Sequence, residues 1–348
     1  MSIRISSIGP HERDTWDEYV MQSPQGTAFH RYAALEAQAT HSGSTFHPLV
    51  GYKGEEPVGL FPVFAMRKGP VPLAFSPPPE LGVPYLGPAL LNMDKLKQRK
   101  REKRHKRFVD GCIEWVDGQI DPQYSLFKTG WRYDDVRPLT WNGFDLDPVY
   151  TYVVDVDTDE EELLGRFSQS ARRNIRNCLD AEYTVGEGGV DAIGWIVRRM
   201  KERYVEQGRA PTLEAAFVSE LYESLPDGSV RPYVLALEGE PATGMILLDC
   251  GDTARSWLGS STPDVDLPVN DLLEWRMMCD AMDRGRTEYE IVGANTPRLN
   301  NWKTKFSPEI RTGFTAKRSN PGMDVAEQLY LKTRDQNVLA KFKPTVSR

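Results

Sequence analysis

Arg172, Arg173 and Arg176 crowd into one short stretch, and a guanidinium fork matches phosphate oxygens two at a time. On a helix, positions 172 and 176 share a face while 173 lies about 100° away, so at least one of the three points to solvent. A denser cationic run precedes them: residues 95–107 hold nine Lys or Arg against one acid, Glu102. The net charge is −7, so setting that +8 segment aside leaves −15 on the rest of the chain. The run therefore carries a field of opposite sign to its surroundings. Either it is the solvated face of a helix, or it faces a polyanion: RNA, a nucleotide-linked substrate or an acidic membrane surface. Other chemistries are disfavoured by residue placement. The five histidines, His11, His30, His41, His47 and His105, all lie in the first half, and no Ser-His-Asp constellation can be assembled from them. Cys112, Cys178, Cys250 and Cys279 are scattered singly, which suggests neither a zinc site nor a disulfide framework and reads as buried free thiols.

These side chains need elements to hold them. With 40% hydrophobic and 27% charged residues and eight tryptophans, the composition is that of a soluble globular protein with a sizeable core. A length of 348 residues suits two domains at about 150 residues each. No apolar run approaches the roughly 20 residues of a membrane span. The opening Met1-Ser2-Ile3-Arg4 lacks the apolar stretch of a signal peptide, so the cytoplasm is the expected location.

One pattern recurs. Pro48-Leu49-Val50, Lys53-Gly54-Glu55 and Val58-Gly59-Leu60 are echoed by Pro232-Tyr233-Val234, Glu238-Gly239-Glu240 and Thr243-Gly244-Met245. Each set reads as a strand, a tight turn and a returning strand that opens on a glycine. Tyr85-Leu86-Gly87-Pro88 and Trp257-Leu258-Gly259-Ser260 then read as matching later strands. Helices are predicted over residues 12–22, 32–39, 159–164, 169–181, 191–207, 213–225 and 269–284. Another spans 94–116, capped by Asp94, with Leu96, Phe108, Cys112, Trp115 and Val116 on its buried side. Prolines between 70 and 88 predict an irregular wall, and periodicity is lost over 137–149. Strands at 124–131 and 151–156 flank a domain switch near 150, and strands at 288–292 and 310–315 close the second unit. The expectation is α/β: domain one over 1–150, domain two over 151–318, and a tail over 319–348, helical and amphipathic at 323–342, that can pack back on the first domain.

Helices, a hairpin, a strand, a helix and two more strands form the order of a GNAT-type acyltransferase fold. Within it, Ile291-Val292-Gly293-Ala294, Leu299-Asn300-Asn301-Trp302-Lys303 and Phe306 resemble the closing motif of the Fem family and its BioF2-like relatives. There a strand ends at glycine and an aromatic-Lys-x-x-Phe element follows, here Trp302-Lys303-Thr304-Lys305-Phe306. Ser307 stands where the family usually has glycine. The stretch from Ser170 to Asn177 is similar to the family's basic helix early in the second domain, and Gly285 and Glu290 also fit. The likeness covers residues 27–315 and implies tandem GNAT-like domains, with the active site in the second.

What the resemblance implies is transfer of an acyl or aminoacyl group onto an amine or hydroxyl of a cell-envelope or polysaccharide precursor. Lys303 is then the ammonium that neutralises an anionic group or stabilises the tetrahedral oxyanion. Glu290 or Asp271 is the candidate base, although an amine of depressed pKa needs none. Arg172, Arg173 and Arg176 are expected to grip acceptor phosphate. Tyr204, Trp257 and Tyr289 either line the cleft or belong to the core, and Asn295 and Asn301 flank the motif as substrate contacts. No tightly bound cofactor is expected; the donor is aminoacyl-tRNA or an acyl-CoA. Residues 259–270 hold one glycine, two prolines and the acids Asp264 and Asp266, which disfavours a conventional CoA diphosphate loop. Those acids are expected to cap the following helix. Expected partners are a small-molecule or precursor acceptor, tRNA, and a peripheral membrane contact without a transmembrane segment. The alternative is a non-catalytic binding module that meets RNA or an anionic membrane through residues 95–107.

Overall fold

The repeated hairpins form where the sequence predicts them. The computed structural model describes residues 3–208, 211–261 and 265–323. Its first unit comprises Met1–Thr151, Gly293–Asn295 and Ile310–Asn320. This unit begins with β1 (Arg4–Ser7), α1 (Arg13–Gln22) and α2 (Tyr32–Ser42), after which β2 (Thr45–Lys53) turns into β3 (Glu56–Lys68). Next come β4 (Val71–Ser76), β5 (Ala89–Leu90), α3 (Gln98–Gln119), β6 (Tyr124–Thr129) and α4 (Arg137–Trp141). Strands β2, β3 and β4 are antiparallel neighbours, and β6 returns parallel to β4 after α3 has crossed over. The glycine that opens β3 has a packing reason. A Cβ on Gly59 would lie 2.7 Å from the Phe108 ring, so its absence lets α3 close on the hairpin. Phe108, Val109, Cys112, Ile113 and Val116 of α3 are buried there with Leu49, Phe61 and Phe127, while Leu96 and Trp115 are only partly covered. The helix starts at Gln98 rather than after Asp94, and it continues through Gly111.

The division between units falls inside β7 (Asp145–Asp155). The second unit adds α5 (Glu160–Arg166), α6 (Gln169–Leu179), β8 (Tyr183–Glu187), α7 (Val190–Glu206) and α8 (Ala215–Ser224). It continues through β9 (Val230–Leu237), β10 (Glu240–Cys250), β11 (Thr253–Ser261), α9 (Val269–Asp283), β12 (Glu288–Ile291) and α10 (Pro297–Lys303). The plan is that of the first unit: β9, β10 and β11 run antiparallel, α9 crosses over, and β12 lies parallel to β11. Gly244 also makes room for a helix, here one that precedes the hairpin: a Cβ there would meet Ile196 of α7 at 2.6 Å. The molecule is thus mixed α/β, with two tandem units of one plan, each a mostly antiparallel sheet flanked by helices.

The path of the last strand differs from expectation. Strand β13 (Glu309–Ser319) does not close the second unit; it pairs antiparallel with β6, from Phe314 opposite Thr129 to Ser319 opposite Tyr124, and clusters with the first. The end of β7, Tyr152–Asp155, pairs antiparallel with β12 within the second unit. The first unit therefore takes its final strand from beyond the second unit's stretch of sequence. The counterpart of the Trp257 strand is β4 rather than residues 85–88, which contribute a single bridge from Leu86 to Thr129. Strand β4 also occupies the passage expected to be irregular and ends at Ser76, where three prolines begin. Similarly, α4 and the start of β7 fill residues 137–149. Beyond Met323 the expected tail lies outside the described residues. No described helix is long and apolar enough to cross a membrane.

Candidate active site

The closing motif of the second unit is built around two buried anchors. Pro297 occupies the first turn of α10, where its missing N–H costs nothing, and Lys303 is the last helical residue. A 3-10 turn over Thr304–Phe306 follows, and Ser307 then adopts the left-handed region with φ 53°, the conformation glycine takes most readily. Phe306 is fully buried, edge-on to Phe167 and to Trp302 with ring centroids 5.3 Å away in both cases. The second anchor is Asp271 on α9, also buried. Its carboxylate accepts from Trp302 Nε1 at 2.7 Å, Asn174 Nδ2 at 2.7 Å and Lys305 Nζ at 3.1 Å. Asp271 is consequently not the expected base: its acceptor capacity is spent on joining α6, α9 and the motif.

Held this way, Lys303 is buried and donates from Nζ to the Val292 carbonyl just beyond β12. An opening lies beside it because β11 and β12 pair only from Thr253 opposite Glu288 to Ser256 opposite Ile291, while β11 runs on to Ser261. A β-bulge marks the departure. Ser256 faces Leu247 and Leu258 faces Ile246, with Trp257 as the extra residue, and such an insertion bends a strand and re-aims its side chains. The resulting cleft of about 560 Å³ is lined by Tyr204, Ser256, Trp257, Glu274, Trp302 and Lys303, with Arg203 and Arg298 among the remaining residues. Arg203 and Arg298 also line an adjoining cavity of about 310 Å³ at the start of α9, together with Arg199.

Burial sets the electrostatics of this floor. Desolvation lowers the Lys303 pKa to about 8, against the opposing pull of Glu274 and Glu290. Desolvation likewise raises the Glu274 carboxyl to about 7, partly offset by the Tyr289 hydroxyl, Lys303 and Ser256. One ammonium and one carboxyl thus change charge near neutral pH in one cleft, a pattern associated with functional sites.

Among the expected site residues, the cleft brings together Lys303, Tyr204 and Trp257. Glu290 is fully buried and paired with Arg255, Nε to Oε2 3.2 Å, and does not line the cleft, so it acts as a charge behind Lys303. Tyr289 is also fully buried, set against Glu274 rather than the opening. The three arginines stay out of the cleft. Ala171, Ile175 and Cys178 form the buried stripe of α6, which turns Arg173 and Arg176 to solvent, and Arg172 bonds the Gly165 carbonyl at 3.3 Å. Asn295 is exposed and ties back to Tyr150, accepting from its N–H at 2.9 Å, and Asn301 is exposed on α10 away from the cleft. Pro268, not an aspartate, stands at the N-cap of α9; Asp266 is exposed, and Asp264 lies outside the described residues. Among the described residues no group of three His, Cys, Asp or Glu is placed to hold a metal ion.

The residue that sequence reasoning missed is Glu274. Nearly every position of α9 is buried, including Leu272, Leu273, Trp275, Met277 and Met278. Of the four acids in α9, Asp271 and Glu274 fall within this buried run, whereas Asp280 and Asp283 lie at its more open end.

Comparison with known proteins agrees with this geometry. Residues 165–304 match the family model of the acetyltransferase (GNAT) domain. Among solved structures, FemX superposes with a TM-score of 0.71 at 14% identity, over 90% of this chain and 96% of that one. The C-terminal domain of a putative lysylphosphatidylglycerol synthetase from Agrobacterium fabrum gives 0.57 at 12% identity, over 91% and 95%. The structure of L-PGS from Bacillus licheniformis gives 0.57 at 12%, over 94% and 97%. Comparison with curated protein sequences gives no match. With the parted strands, the bulge and the buried lysine in place, residues 165–304 match the acetyltransferase (GNAT) domain model, and the chain shares its fold with FemX.

Proposed function

We propose that this protein transfers an acyl or aminoacyl group from an activated ester or thioester to an amine or hydroxyl of a cell-envelope or polysaccharide precursor, in the cleft of the second unit. The observation that carries the reading is Lys303, a buried ammonium at the cleft floor whose chain is fixed by Phe306 and whose Nζ is held on the Val292 carbonyl. A cation in a desolvated site stabilises a developing oxyanion far better than one in water. Arg203 and Arg298 at the same opening suit a donor that carries phosphate, either aminoacyl-tRNA or an acyl-CoA. An envelope precursor as acceptor is supported by the likeness to FemX and to lysylphosphatidylglycerol synthetases. The test is incubation of purified protein with labelled acetyl-CoA and, separately, with charged tRNA. Labelled product from one donor is expected, with kcat/KM about 10²-fold lower in Lys303→Ala. An unaltered rate in that variant rejects the role of Lys303, and absence of product with either donor rejects the transferase reading.

A second reading, contact with a polyanion through α3, is favoured by where its charges sit. Lys95, Lys97, Arg99, Lys100, Arg101, Lys103, Lys106 and Arg107 are all exposed, whereas Arg104 turns inward to Glu56 at 2.9 Å. Arg99, Lys100, Lys103, Lys106 and Arg107 fall within an arc of about 120°. They occupy the amino-terminal half of the helix, whose first turn holds no acid, although the helix dipole favours acids there. Stability alone does not explain that placement. Reversing Arg99, Lys100, Lys103 and Arg107 to Glu is expected to weaken binding of tRNA or anionic vesicles steeply and to flatten its salt dependence. Unchanged affinity for both ends this reading.

A further inference from the structure

The chain's most exposed tryptophan borders its most basic face. Trp141, the last residue of α4, keeps 56% of its surface open, while the other seven tryptophans, all within the described residues, are buried or half-buried. A lone exposed apolar side chain needs no explanation; its address does. Arg137 of α4 pairs with Glu102 of α3 at 3.2 Å and lies over the Trp141 ring at 5.6 Å. Asn142, which caps α4, donates to Asp110 of α3 at 2.9 Å. Both ties fall on the side of α3 that carries Arg99 and Lys106, because positions 99, 102, 106 and 110 stack along one stripe of a helix. The indole therefore stands at the rim of the arc formed by Arg99, Lys100, Lys103, Lys106 and Arg107.

We propose that this arc and its rim bind the surface of an anionic phospholipid bilayer, with α3 lying along the headgroups and Trp141 inserted at the interface. This rests on the polyanion reading above and assigns it one partner. Charge complementarity orients the contact. The chain outside residues 95–107 carries −15, so an acidic surface repels it and draws in the basic segment. Insertion falls to Trp141 because the apolar side of α3, with Phe108, Val109, Cys112 and Ile113, is already buried in the core of the first unit. An indole suits that task, since its amphipathic ring settles at headgroup level.

The composition of the face favours lipid over nucleic acid. Surfaces that bind single strands interleave aromatic rings among their cations so that bases stack on them. The one ring among residues 95–107, His105, is buried, with Nε2 2.6 Å from the Tyr133 hydroxyl. Lysines outnumber arginines among the exposed cations of this segment, five to three. A lysine is a hydrated point charge that serves a diffuse anionic surface, whereas arginine forks grip individual phosphates. The acids on the α4 side of the arc are paired, Glu102 with Arg137 and Asp110 with Lys106, which limits their repulsion of headgroups.

The test uses the full chain and vesicles of phosphatidylcholine, with or without about 30% phosphatidylserine. Sedimentation should show binding at least about 10²-fold tighter to the serine-containing vesicles. Trp141→Ala should weaken that binding about ten-fold and leave its salt dependence unchanged, since it removes an insertion and no charge. With bromine-labelled acyl chains, the bound protein should lose tryptophan emission. Trp141→Phe, which keeps a ring at the position, should remove most of that quenching, because the other tryptophans are at least half covered. Equal binding to both kinds of vesicle, bound protein without bromine quenching, or undiminished binding by Trp141→Ala overturns the proposal. Binding of charged tRNA without binding of the vesicles overturns it too and leaves the polyanion reading standing. Where both bind, the bromine quenching decides. Binding of neither ends both readings.

Discussion

The cleft floor and the face of α3 both present cations, and they use them in opposite ways. Lys303 is almost fully covered, held on one carbonyl and pushed down to about 8 by desolvation. The exposed cations of residues 95–107 number eight, six of them on α3, and each is individually weak. Coulomb energy at a given separation is several-fold larger in a desolvated pocket than in water, and exposed charges are screened over about 8 Å at physiological salt. A single buried ammonium can therefore act on one atom of a substrate, whereas an exposed run attracts any polyanion by sheer number. The contrast separates chemistry from capture within one chain.

The strongest way to break the contrast is to unseat the lysine without touching α3. Phe306→Ala is expected to destabilise by about 3–5 kcal/mol in chemical denaturation, as large aromatic truncations do. It should abolish transfer while leaving polyanion affinity within two-fold of the unaltered protein; a parallel loss of both would show the regions to be coupled. Next in size is the salt test. Between 50 and 200 mM salt the roughly 10²-fold defect of Lys303→Ala should hold steady, whereas polyanion binding through α3 should fall by orders of magnitude.

The pH profile sharpens the comparison further. Glu274 ionises as pH passes about 7 and Lys303 loses its charge as pH passes about 8, so both are charged together only in between. A narrow bell in kcat/KM is expected, and Glu274→Gln should erase its acidic limb. Stability follows the same shifts. The contribution of Glu274, raised from an ordinary 4.5, is fully present below that pH and is lost as pH rises through about 7. Lys303 is depressed from 10.5, so its penalty is relieved as pH climbs from about 8 towards that value. The smallest effect is at Ser307, where the left-handed backbone favours glycine. Ser307→Gly should raise stability by about 1 kcal/mol, seen as a higher denaturation midpoint with transfer and polyanion binding unchanged.

Much of this was legible before the structure. The hairpins at Gly54 and Gly239 form where charged Gly-Glu turns predict them, because turn chemistry is local. The placement of Lys303 beyond β12 followed from the resemblance of its motif. What stayed hidden depends on contacts distant in sequence. The fate of β13 could not be read because its own pattern is indifferent to which strand it pairs with. The arginines of α6 looked like a phosphate grip, yet the stripe of Ala171, Ile175 and Cys178 was there to say that the opposite side is buried. Glu274 was hidden for a converse reason. Beside Trp275 and Arg276 it passes for an ordinary helix acid, and only the packing of α9 and the parting of β11 from β12 makes it the cleft's carboxyl.

The return of β13 to the first unit has a consequence for synthesis. A ribosome that has released residue 151 has not yet supplied the partner that β6 pairs with between Phe314 and Ser319. The amino-terminal sheet must wait, one backbone edge open, while more than 150 further residues emerge. Open edges of that kind recruit other chains. A gene cut at the apparent domain boundary should therefore yield a fragment that aggregates, whereas a circular permutant that begins with β13 ahead of β1 would let that sheet assemble as soon as it leaves the tunnel.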